Sequence, residues 1–132
     1  MKFNDQELIE RAKSAMQKAY APYSDFFVGA ALLCTDGTVY TGCNVENASF
    51  SPTCCAERVA LFKAISEGKR DFCAIAIVGG KAGSIGDFCY PCGVCRQVLA
   101  EFCDAELKVI IFDGNQTKSV TLGELLPSAF NF

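Results

Sequence analysis

The chain is predicted to fold as an α/β three-layer sandwich around a mixed five-stranded sheet, in a single domain spanning residues 1–132. Three observations lead there. Helix, hairpin and then alternating helix and strand follow one another along the chain. The inner strands read as unbroken apolar runs, as expected where both faces are covered. Helical crossovers require the later strands to run parallel while the opening hairpin is antiparallel, so the sheet is mixed.

Each element has its own signal. Asn4 followed by Glu7 reads as a capping box, opening a helix with Leu8, Ala12, Ala15, Met16 and Ala19 on one face and Pro22 as its stop. Residues 26–34 form a mostly buried strand, and Asp36-Gly37 turns it into a second strand at 39–43. The loop 44–52 is unusually polar for a simple connection. A second helix is expected from Thr53 to Glu67, with Gly68 ending it. A buried strand follows at 72–78, and Gly79-Gly80 opens a loop that runs to Tyr90. The third helix starts near Cys92 and carries Val94, Val98, Leu99 and Phe102. Residues 107–112 form another buried strand, Asp113-Gly114 a turn, Val120 a short edge strand, and 122–126 a helical turn before Pro127.

Composition narrows the function classes. The formal charge is −3 and the twelve basic residues are scattered, which disfavours nucleic acid as a partner and points to a small molecule. The longest apolar runs are strand-length, far short of a membrane span. Met1-Lys2-Phe3-Asn4-Asp5 has no apolar stretch of the secretory type. Nine cysteines is an odd number, which suits a reducing, cytoplasmic setting better than a disulfide scaffold.

Two motifs carry the chemistry. Cys55-Ala56-Glu57 places a carboxylate two residues past a thiol, and Pro91-Cys92-Gly93-Val94-Cys95 supplies two further thiols on one first turn of helix. With no histidine in the chain, a zinc ion must be held by cysteine, carboxylate or water. Three protein ligands, a water position and a nearby glutamate are the parts of a zinc deaminase site. Helix N-termini favour thiolates. Arg58 and Arg96, each beside a ligand or its motif, are expected to donate to the sulfurs and offset their excess negative charge. Cys54 lacks the spacing to Glu57 that Cys55 has, and Cys89 precedes the helix start. Taken alone, C-x-x-C also occurs in zinc ribbons and redox sites, and Glu57 also suits a helix dipole.

Further segments extend the pattern: Ala21-Pro22-Tyr23-Ser24, Phe26 to Ala31, Gly42 to Ala48, Arg96-Gln97 after the last thiol, and Leu125-Leu126-Pro127. With them the chain resembles the small homotetrameric cytidine deaminases over almost all of its 132 residues. The resemblance implies one Zn²⁺ per subunit on Cys55, Cys92 and Cys95, with Glu57 as proton shuttle. It implies Asn44 and Glu46 at the ribose 3′-hydroxyl, Phe26 on the pyrimidine, and the Ala56 amide at the ring carbonyl. Phe130 matches a residue that reaches into a neighbouring subunit's pocket, and Arg96 and Gln97 continue the pattern as supporting residues. Phe50 stands where the family often has tyrosine, and Ser128 where glycine is common. The implied reaction is hydrolysis of cytidine or deoxycytidine to uridine or deoxyuridine with release of ammonia. Rival readings are a relative acting on another amine, an editor of polynucleotides, and a non-catalytic zinc module with a fourth sulfur from Cys54 or Cys89.

Overall fold

The computed structural model describes residues 3–131. Its elements are α1 (Asp5–Met16), β1 (Phe26–Cys34), β2 (Val39–Cys43), α2 (Ala56–Ser66), β3 (Phe72–Lys81), α3 (Gly93–Phe102), β4 (Lys108–Phe112), β5 (Thr117–Thr121) and α4 (Leu122–Leu125). The five strands lie in the order β2-β1-β3-β4-β5. β1 is antiparallel to both β2 and β3, β3 and β4 are parallel, and β5 returns antiparallel to β4. The mixed sheet is therefore as expected.

Strand periodicity explains the layers. Ala30, Leu32, Ile75, Ile77, Val109 and Ile111 face one side, where they pack with Ala60, Leu61 and Ala64 of α2 and Leu99 of α3. The alternate residues Ala31, Ala74, Ala76, Val78 and Ile110 face the other side, against Leu8, Ile9, Ala12 and Met16 of α1. Side chains that alternate every residue need cover on both faces, so the strands read as unbroken apolar runs. Small residues set how close the helices come. A Cβ at Gly29 would stand 2.0 Å from the Ala12 carbonyl oxygen, so α1 rests directly on β1.

Three boundaries differ from the sequence reading, each for a local reason. The capping box is present, with the Glu7 amide donating to Asn4 Oδ1 at 2.8 Å and the Asn4 amide to Glu7 Oε1 at 3.1 Å. Yet α1 ends at Met16 rather than Ala19, and tighter bonds follow, from the Lys18 and Ala19 amides to Ala15 and Met16. The Tyr20 amide then donates to the Asn44 carbonyl, which draws the chain out of helix. The second helix starts at Ala56, not Thr53, because Cys54 and Val45 exchange backbone hydrogen bonds and hold the chain extended. Gly79 and Gly80 belong to β3, opposite Val28 and Phe27. Their bare backbone admits a close approach and does not mark a turn.

This topology prepares a site. β2 and β3 both run antiparallel to β1, so their C-terminal ends lie at one end of the sheet, and α2 and α3 follow from there. Crevices at the carboxyl ends of such strands are where ligands bind in α/β sheets.

Candidate active site and metal centre

Cys55 is the N-cap of α2 and Cys92 the N-cap of α3, so the two helix starts bring the thiols together. The sulfurs of Cys55, Cys92 and Cys95 all lie within 4.8 Å of one another. Cys55 Sγ and Cys92 Sγ are 3.7 Å apart. A tetrahedral zinc with Zn–S bonds of ~2.3 Å sets its sulfurs about 3.8 Å apart, so the pair fits the ion. The donor set fits too, since soft thiolates select zinc over harder cations. Neither Cys54 nor Cys89 joins this group among the described residues, so a four-sulfur centre is not formed.

The electrostatics favour a charged sulfur beside a reluctant carboxylate. The Cys95 thiol, the Arg58 guanidinium and the Cys92 thiol all hydrogen-bond to Cys55 and bring its pKa down to about 5. Cys95, the donor in that pair, is pushed upward by the same bond and by burial. Arg58 Nη2 lies 3.5 Å from Cys55 Sγ, and its buried Nε has no hydrogen-bond partner among the described residues. Arg96 departs from expectation. It donates through Nε to the Pro91 carbonyl at 2.7 Å and through Nη1 to the Leu125 carbonyl at 2.8 Å. One residue along a helix is a rotation of about 100°, which turns Arg96 away from the face that carries Cys95. Its role is to tie the start of α3 to the C-terminal segment.

Glu57, the second residue of α2, is 3% exposed. Burial pushes its carboxyl up to about 7, with the Cys55 thiolate adding to the effect. It borders a cleft of about 250 Å³ together with Cys55, Cys92, Ala56, Phe26, Asn44 and Glu46. Seven of the residues singled out from sequence therefore meet in one cavity. No side chain caps α2, which leaves its first amides, Ala56 among them, directed at the cleft end of the helix.

The polar end of the cleft is built by long-range bonds. Glu46 Oε1 accepts from the Tyr23 amide at 2.9 Å and the Ser24 amide at 3.2 Å, and the Ser24 hydroxyl donates to Oε2. The hydroxyl is the chief cause that holds the Glu46 carboxyl below its ordinary value. Asn44, 9% exposed, accepts from the Val28 amide at 2.9 Å and donates to the Phe26 carbonyl at 2.8 Å. Its amide thus fixes the first residues of β1, and with them the Phe26 ring. The sequence assigned no role to Ser24, Thr53 or Tyr90 in the cleft, and Cys89 only as a rival fourth sulfur; all four line it. Ser24 lay within a recognised motif, but nothing in sequence links it to Glu46.

Phe130 is absent from that cleft lining. The residue is 67% exposed, and its carbonyl accepts from Gln97 Nε2 at 3.1 Å. Ser128 has φ +55°, a left-handed conformation that favours glycine. Phe50 likewise has φ +62°.

Residues 2–111 match the family model described as the cytidine and deoxycytidylate deaminase zinc-binding region. The chain belongs to this family. A cytidine deaminase of Sporosarcina psychrophila is 48% identical over 127 residues, covering 96% of this chain and 90% of the relative. One from Halalkalibacterium halodurans is 52% identical over 128 residues, covering 95% and 92%. The crystal structure of cytidine deaminase from Burkholderia pseudomallei superposes with a TM-score of 0.89 at 47% identity, covering 97% of this chain and all of that one. The matched span of this chain includes both cysteine motifs, whose sulfurs lie together.

Proposed function

We propose that the protein is a zinc-dependent hydrolase that converts cytidine and deoxycytidine to uridine and deoxyuridine, releasing ammonia. The observation that carries this reading is the meeting of buried Glu57 with Cys55 and Cys92 in one cleft, with the Cys95 sulfur clustered behind them. Zinc held by Cys55, Cys92 and Cys95 supplies the Lewis acidity that makes water nucleophilic near neutral pH. Glu57 accepts the proton that water gives up as its oxygen adds to ring carbon C4. It passes that proton to ring nitrogen N3, then moves the proton of the new C4 hydroxyl to the amine, so that the C4 carbonyl forms as the C–N bond breaks and ammonia departs. Burial, which favours the protonated carboxyl, suits Glu57 to donate as well as accept.

The remaining residues hold the nucleoside. Phe26 packs on the pyrimidine, and the Ala56 amide donates to the ring carbonyl. Glu46 accepts from the ribose 3′-hydroxyl, and Asn44 offers its second Nδ2 hydrogen, the first being used on the Phe26 carbonyl. Arg58 and the backbone ties of Arg96 and Gln97 keep the metal centre and tail in place.

The protein is further proposed to act as a homotetramer in the cytoplasm, with Phe130 entering a neighbour's cleft. Exposed Phe50, Phe62, Val94 and Phe130 give it apolar surface to cover. All nine cysteines are unpaired, as in a reducing compartment, and no helix among the described residues is long and apolar enough to cross a membrane. Sedimentation equilibrium is expected to give four chains per particle; a monomer at micromolar concentration overturns the shared site.

The direct test is ammonia release from cytidine by wild type and Glu57→Gln. Wild type is expected to turn over and Glu57→Gln to lose about 10²- to 10⁴-fold in kcat with its zinc retained. Near-normal turnover by the variant contradicts the assignment.

A further inference from the structure

One wall of the cleft is formed by a side chain outside both cysteine motifs, Tyr90, two residues before Cys92. It lies on a segment with few constraints of its own. The last backbone tie before it is the Gly86 amide on the Gly79 carbonyl, and among the described residues two hydrogen bonds reach the segment 87–91. One is Arg96 Nε on the Pro91 carbonyl at 2.7 Å. The other comes from β5, where Lys118 Nζ donates to Tyr90 Oη at 3.0 Å. The same ammonium stands 5.8 Å from the centroid of the Phe88 ring and 5.7 Å from that of Tyr90. It therefore bonds to the tyrosine hydroxyl, lying near the plane of that ring beyond its Oη, and is within cation–π range of Phe88 alone.

The placement has a consequence for the site. Lys118 sits on the edge strand opposite Ile111, outside the cleft lining. Tyr90 shares that lining with Cys89, Cys92 and Glu57, and stands two residues before Cys92 in the chain. A tyrosine ring on an unpaired loop would otherwise exchange between rotamers. We propose that Lys118 is a positioning residue for nucleoside binding: by clamping Tyr90 it fixes the wall that confines the amine-bearing edge of the pyrimidine. This rests on the nucleoside reading given above. Lys118 acts only through Tyr90, so its effect belongs to binding and not to the proton transfers.

Three variants test the clamp in the zinc-loaded protein. Lys118→Met keeps the stem and removes the ammonium, Lys118→Arg keeps a cation, and Tyr90→Phe keeps the ring and removes the acceptor. Calorimetry with uridine gives a dissociation constant independent of turnover, and cytidine kinetics give KM and kcat separately. Lys118→Met and Tyr90→Phe are expected to raise both Kd and KM about two- to tenfold, the size of one hydrogen bond, with kcat within about twofold. Lys118→Arg is expected to restore Kd to within about twofold of wild type, and Lys118→Met/Tyr90→Phe to be no worse than the poorer single variant. An unchanged Kd in Tyr90→Phe, a fall in kcat at constant KM, failure of arginine to rescue, or additive losses each overturns the proposal. Wild type that neither binds uridine nor releases ammonia from cytidine would instead overturn the functional reading itself.

Discussion

Ser24 decides the charge state of the carboxylate that would meet the ribose. Its hydroxyl, with the Tyr23 and Ser24 amides, holds Glu46 below the ordinary carboxylate value. A depressed pKa means the carboxylate keeps its charge as pH falls through the ordinary value and loses it only in stronger acid. KM for cytidine is therefore expected to stay flat down to that window and then rise. Ser24→Ala moves the onset of the rise to higher pH and raises KM at neutral pH by about two- to fivefold. KM profiles of the two proteins check this, and coincident acid limbs contradict it. The local pairings Cys55–Glu57 and Cys92–Cys95 were legible in the sequence because spacing along a helix start fixes their geometry. Ser24, Cys89 and Tyr90 were not, because their partners are set by tertiary contact. Arg96 was misread because sequence adjacency to Cys95 does not mean the same helix face.

At the level of elements, the start of α2 controls the site. Val45 and Cys54 hold the chain extended until Cys55, which makes that cysteine the N-cap and Glu57 the second helical residue. Gly42 on β2 then fixes how close α2 lies. A Cβ there would stand 2.5 Å from the Ala56 carbonyl oxygen and 2.6 Å from the Ala60 amide nitrogen. Gly42→Ala must push the helix outward, costing about 1–3 kcal/mol of stability and weakening zinc retention. Gly93→Ala, at the start of α3, meets nothing within 4 Å and is expected to melt close to wild type. Thermal melts with zinc analysis of both variants decide the point; equal melting temperatures contradict the close packing. Strand and helix identities were legible because apolar runs and periodicity report burial directly. The Thr53 boundary was not, since the Val45–Cys54 pairing overrides local preference. Gly79-Gly80 read as a turn signal but lies within β3, where a Cβ at Gly79 would meet Cys89 Sγ at 3.1 Å and the Phe26 ring at 3.2 Å.

Across the whole molecule, alternating strand faces place α1 on one side and α2 and α3 on the other, and antiparallel β1 aligns the carboxyl ends of β2 and β3. That arrangement alone brings the two helix starts together, although Cys55 and Cys92 are far apart in sequence. The order of elements made this sandwich legible, whereas strand order beyond the hairpin and the exact meeting of the helix ends needed the fold. Everything proposed for the chemistry depends on three sulfurs gripping one ion and stopping there. X-ray absorption at the zinc edge, with metal content measured on the same purified sample, tests that most directly. One zinc per chain with three sulfur neighbours and one oxygen or nitrogen is the predicted result. A shell of four sulfurs, or protein without stoichiometric zinc, contradicts it.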